Sequence, residues 1–212
     1  MKKTLLPSLS VALALSLGAA GIAHAQNMPT PALTDKPVRL RGTIVRVDDS
    51  TITLKERGGE VVTLTRAPNM PAVEVYPIRM SAIKTGSFVG AASLAQPDGT
   101  QKAVEVLVFP EAARGSNEGS YPWDLLPEST MTNATVAGTA SMHGGRKLTL
   151  QYKGGEKTVI VPPNVPIVTF RAGKADALLV PGARALITAQ VKDGKPMALR
   201  VNVGRDGFTP PM

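Results

Sequence analysis

The chain repeats itself, and the repeat restricts its possible folds more than any other feature. Ile52-Thr-Leu-Lys-Glu-Arg-Gly-Gly-Glu-Val61 returns as Leu148-Thr-Leu-Gln-Tyr-Lys-Gly-Gly-Glu-Lys157. Each copy reads as an alternating strand, a tight Gly-Gly turn and a return strand, which is a β-hairpin pattern. The echo continues outward. Gly42-Thr43 answers Gly138-Thr139, Pro68-Asn69 answers Pro163-Asn164, Gly86 answers Gly182, and Asp98-Gly99 answers Asp193-Gly194. The spacing is 96 or 95 throughout, as if one residue were lost and regained within a constant register. A tandem duplication of a roughly 70-residue β unit follows.

The repeat divides the 212 residues into two domains. Each unit is near the lower size limit for folding alone, so contact between them would help both. With 18 Pro, 20 Gly and only eight aromatics, the composition suits many short strands and turns. A hydrophobic content of 43% is ample for packed cores. There are no cysteines, so cores and not disulfides must hold the fold.

Residues 1–25 read as a signal peptide. Lys2 and Lys3 precede an apolar run from Leu5 to Ala20, and Ala23-His24-Ala25 is a processing site before Gln26. No Cys follows it, so there is no lipobox. No later segment has the apolar length of a membrane span. The expected product is a soluble protein, periplasmic or secreted. Without Lys2 and Lys3, 22 Lys and Arg stand against 16 Asp and Glu. The scattered excess serves solubility and also suits anionic envelope polymers as partners.

Residues 26–37 form a Pro-rich, loose leader. In the first unit, 38–110, the expected order is a long bent strand, a hairpin and a Pro-bounded edge segment at Ala72 to Val75. A short helix over Arg79 to Lys84 and two final strands follow. The second unit, 134–207, repeats this order before a tail at 208–212. In the last strands Leu199, Val201 and Val203 correspond to Val104, Val106 and Val108 and point inward, while Arg200, Asn202 and Glu105 face solvent. Three strands, a short helix and two strands predict an all-β chain of two tandem five-stranded OB-like barrels. One continuous β sandwich shared by both copies is the other architecture this pattern permits.

The linker, 111–133, exceeds ordinary connection lengths, so it is either functional or packed on the barrels. It carries the only tryptophan, Trp123. Arg114, Tyr121, Trp123 and Asp124 combine a planar cation, two aromatics and an acid, a mixture enriched at recognition surfaces, and are the candidate binding residues. The competing expectation is that Trp123 plugs the seam and sets the angle between the barrels. Asn133-Ala-Thr135 matches a glycosylation acceptor but begins the second barrel, and is set aside.

Gly-Ser-Phe-Val-Gly at 86–90, Glu-Val-Leu-Val-Phe-Pro at 105–110, Pro-Trp-Asp-Leu at 122–125, Met-Thr-Asn-Ala-Thr-Val at 131–136 and Val-Asn-Val-Gly-Arg-Asp-Gly at 201–207 carry a resemblance. Nearly all of the chain after the leader resembles exported proteobacterial proteins with tandem OB-like domains of unknown function. That family is often labelled a metal ABC transporter permease. A permease needs several spanning helices, so the label implies at most an exported accessory near a metal uptake system. The resemblance brings no catalytic residues.

Ligand chemistry is sparse. After the signal peptide the chain has one histidine, His143, and no Cys, so Met142 and His143 are the only candidates for a soft metal site. His143 before Gly144-Gly145 also suits a plain turn. No G-x-S-x-G elbow and no P-loop lysine are present. Glu111, Glu118, Asp124 and Glu128 supply acids to the linker, where solvation is their ordinary role. Single-stranded nucleic acid needs aromatic platforms beside basic grooves. Phe88, Phe109 and Phe170 are expected in the cores, so nucleic acid is excluded as a partner. The sequence therefore points to a non-enzymatic, cofactor-free binding or scaffold protein of the envelope, its partner an envelope protein or anionic polymer. A metal-handling accessory is the alternative.

Overall fold

The computed structural model describes residues 31–211. The signal peptide and the first part of the leader lie outside the described residues. Thirteen strands carry the fold: β1 (Val38–Val47), β2 (Thr51–Glu56), β3 (Val61–Arg66), β4 (Ala72–Pro77), β5 (Phe88–Ala95), β6 (Gln101–Val108), β7 (Gly119–Pro122), β8 (Thr130–Met142), β9 (Gly145–Tyr152), β10 (Gly155–Val161), β11 (Ile167–Ala172), β12 (Arg184–Lys192) and β13 (Lys195–Gly204). The chain is all-β, and among the described residues no helix is long and apolar enough to cross a membrane.

The strands do not close within each copy. β1, β2 and β3 continue into β13 and β12 of the second copy, and β12 pairs back onto β1. The ring shuts through a parallel contact of Thr65 and Arg66 with Met197 and Ala198. In the same way β8, β9 and β10 join β6 and β5 of the first copy, with a parallel closure at Gln101 and Lys102. Each ring therefore holds three strands from one copy and two from the other. Barrels formed from 38–110 and from 134–207 separately were the expectation, and the pairing corrects it.

Two cores confirm the exchange of strands. One packs Leu40, Ile44 and Leu54 against Ile187, Val201 and Val203. The other packs Val89 and Val106 against Val136, Leu148 and Val159. Facing positions in both copies carry the same kind of apolar residue, so either copy's strands fit either ring.

The crossings are made by β4 and β11. They lie antiparallel to each other, with Val75 opposite Phe170. A shift of 95 residues carries that pair onto itself, and carries Glu74–Arg171 onto Thr169–Tyr76. The pair thus marks a pseudo-two-fold axis, the arrangement of a domain-swapped dimer in one chain. β4 is not the edge segment expected between its prolines. It bonds to β11 on one side and β13 on the other, and Pro77 closes its end without removing an interior donor. A third apolar cluster, Val73, Val75, Leu107, Val168 and Leu186, fills the seam around the axis.

The structure also relocates the length differences between the copies. Four residues separate Val47 from its partner Ile52, whereas eight separate Thr139 from Leu148, so the β8–β9 hairpin is longer. Gly42 consequently matches Ala134 and not Gly138, since both face equivalent partners on β12 and β5. The lost residue lies in the Gly-Gly turn: five residues separate Lys55 from Val61, and four separate Gln151 from Glu156. Neither expected helix is long. Met80–Ala82 forms a 3-10 turn, and Ala175–Leu178 a single α-helical turn, α1.

Candidate functional site

The outer faces of the two rings meet at the seam. On the first, β1, β12 and β13 align Arg39, Thr188 and Arg200 in one row and Arg41, Leu186 and Asn202 in the next. The equivalent rows of the second ring are Met131, Ala92 and Glu105, then Asn133, Gly90 and Leu107. Side chains on directly paired residues stand on the same face of a sheet. A cavity of about 660 Å³ opens between these walls. Phe109 and Phe170 line it with their rings edge to face at 6.0 Å. Phe88 is buried as expected, and Phe109 and Phe170 pack partly buried on the seam's apolar cluster, which leaves them bordering the cavity.

The linker closes one side. β7 pairs with β8, setting Tyr121 opposite Met131 and Gly119 opposite Asn133. The chain then turns through a loop clamped by buried Ser129. Its hydroxyl shares its one proton between the carbonyls of Leu126 at 2.7 Å and Trp123 at 3.0 Å and accepts from the Leu126 backbone N–H, while the Trp123 backbone N–H donates to the Ser129 carbonyl at 2.8 Å. Glu128, at φ 60°, takes the left-handed corner. Trp123 is thereby held against the basic row. The Arg39 guanidinium lies 3.8 Å from its ring centroid, a close cation–π contact, and Tyr121 meets the ring at 6.1 Å.

Asp124 anchors the same corner. Arg41 donates to it at 2.8 Å and Arg39 stands at 3.4 Å. Burial pulls the carboxyl upward, but the bonds and charges of Arg41 and Arg39 outweigh this and hold it below the ordinary carboxylate range. Burial raises the Tyr121 phenol, with Arg39 opposing. Tyr121, Trp123 and Asp124 are thus brought together.

Arg114 is not part of that group. It forms a bidentate pair with Glu111, three residues earlier in a 3-10 turn, and donates to the Gly86 carbonyl at 3.0 Å. Glu118 accepts the Lys153 N–H at 2.9 Å. Glu111, Glu118 and Asp124 therefore take separate partners. Met142 and His143 lie exposed at the β8–β9 turn, and among the described residues no three or more His, Cys, Asp or Glu side chains gather at a metal-binding spacing.

Asn133 was set aside in the sequence, yet it is a wall of the cavity. Only 4% exposed, it donates to the Tyr121 hydroxyl at 3.0 Å and to the Ser116 carbonyl at 3.1 Å. Gly90 makes room for it, because a Cβ there would lie 2.6 Å from Asn133 Oδ1. Asn133 Oδ1 and Trp123 Nε1 are buried with no partner in the protein, a concentration of unsatisfied polar atoms unusual for a purely structural seam.

Glu105 overturns a further expectation. It points off the ring interior as predicted, but it is 0% exposed because the other ring covers that face. Neither carboxylate oxygen has a hydrogen-bond partner. Burial pushes its pKa up to about 8, with the Arg41 charge opposing.

No family model, curated protein or solved structure matches the chain.

Proposed function

We propose that this is a non-enzymatic, exported binding protein of the cell envelope, built from two OB-like barrels that present a ligand site at their seam. The strand order in each ring supports the OB-like reading. It runs first, second, third, fifth, fourth and back to first, with a parallel closure between third and fifth. The signal-like leader and the family resemblance support export.

The observation that carries the binding reading is the seam cavity. Its walls combine apolar side chains, aromatic rings and a few placed polar groups, the usual make-up of a small-molecule site. A metal-handling role has less support, because the only histidine after the leader stands exposed at a hairpin turn.

Thermal-shift measurements with fractionated envelope extract test this reading. At least one fraction should raise the Tm of the wild-type protein and leave Trp123→Ala unshifted. If every fraction that stabilises the wild type stabilises the variant equally, the seam is not the site.

A further inference from the structure

The cavity has a chemical polarity that narrows its ligand, provided the seam is the binding site. One wall is basic. Arg39 and Arg200 flank Thr188 on neighbouring strands, so their backbones stand roughly 10 Å apart. Arg39 reaches Asp124 at 3.4 Å, the longer of the two contacts that Asp124 makes with arginines. The Nε of Arg200 donates to Asn202 Oδ1 at 3.2 Å, and among the described residues no carboxylate pairs with this guanidinium. Glu118 is the one acid lining the cavity, and it is exposed.

The remaining surface is apolar. Leu107 and Leu186 are about 5% exposed, at 6% and 5%, and the Phe109–Phe170 pair extends from them. Arg200 bridges the two regions, with its guanidinium carbon 5.9 Å from the Phe170 ring centroid. A bare inorganic anion would leave the aromatic floor unused. A neutral hydrocarbon would shield the guanidinium groups from water and return nothing to them. A molecule with both parts satisfies both.

We infer that the seam takes a small organic anion with an aromatic body, its charged group on Arg200 and Arg39 and its rings on Leu107, Phe109, Phe170 and Leu186. Arg200 is the specificity-determining residue. It is exposed and makes one side-chain hydrogen bond, so it can be changed without opening a core.

The test uses two dyes that share a ring framework. Anilinonaphthalene sulfonate carries an anion, and phenylnaphthylamine does not. Trp123 is the sole tryptophan and lines the cavity, so a dye bound at the seam must draw its emission by energy transfer. Arg200→Gln should weaken the sulfonate dye about ten- to a hundredfold, the value of a hydrogen bond to a charged group, and change the neutral dye less than about twofold. If Arg200→Gln alters neither dye, or both alike, the anion inference fails while the seam stands as a site. If neither dye draws emission from Trp123, the binding reading itself fails.

Discussion

Glu105 offers a sharp test of the packing at the seam, because it points off its own ring and is nonetheless fully buried, with Arg41 of the other ring close by. Its pKa rises from 4.5 to about 8 on folding, mainly through loss of water, with the positive charge of Arg41 working against the rise. A folded-state pKa above the unfolded value means that the carboxyl favours folding most at low pH. This contribution is complete below the unfolded pKa and is lost as pH climbs through the folded one. At about 1.4 kcal/mol per unit, the loss reaches about 3 kcal/mol at neutral pH and about 5 kcal/mol above pH 8. Glu105→Gln keeps the shape and removes the proton linkage. Urea denaturation of both proteins at about pH 5, pH 7 and pH 8.5 should give stability differences that move steadily in the variant's favour. The gap should widen by several kcal/mol between the extremes. Parallel stability curves would mean that Glu105 is hydrated, and hence that the rings do not pack as described.

Three further outcomes follow from the same geometry. A protease site inserted between Gly115 and Ser116, in the exposed loop, should yield fragments that still co-elute on size-exclusion chromatography, since each ring needs strands from both; separation of the fragments would refute the exchange. Gly90→Ala places a methyl against Asn133 Oδ1 and should cost about 1–3 kcal/mol, read as a lowered Tm. An unchanged Tm would show that Asn133 does not lie over Gly90. Asp124→Asn removes the carboxylate that offsets Arg39 and Arg41, and should tighten the sulfonate dye a few-fold in the Trp123 energy-transfer assay.

Local features were legible in the sequence and partnerships were not. The Gly-Gly hairpins and the final strands stand where alternation placed them, because each rests on neighbours a few residues away. The exchange left no local mark. Val89 and Ile187 are equally suited to either ring, so pattern alone cannot say which copy supplies a strand. The inward phase held for Val106 and Val108 and for Val201 and Val203, but a bulge in each hairpin puts Ala103 and Ala198 in the cores where Val104 and Leu199 were expected, and outward proved to mean covered for Glu105. Within the candidate site, the grouping of Tyr121, Trp123 and Asp124 was legible because they cluster in an unusual linker. Arg114 belongs to the same stretch and is claimed by Glu111 nearby. Arg39 and Arg200 were missed, because alternating charge on a strand looks like ordinary solvation until the fold brings Trp123 to Arg39.

The pseudo-two-fold axis at Val75 and Phe170 carries an implication for how such a cavity can arise. Two identical chains meeting on that axis would present the same side chain at the positions of Arg200 and Glu105, so any charge on one wall would be mirrored on the other. Joining the copies in a single polypeptide lifts that constraint, and here Arg200 lines the cavity while Glu105, at the equivalent place on the other ring, is buried away from it. Covalent linkage has let a symmetric frame acquire a front and a back.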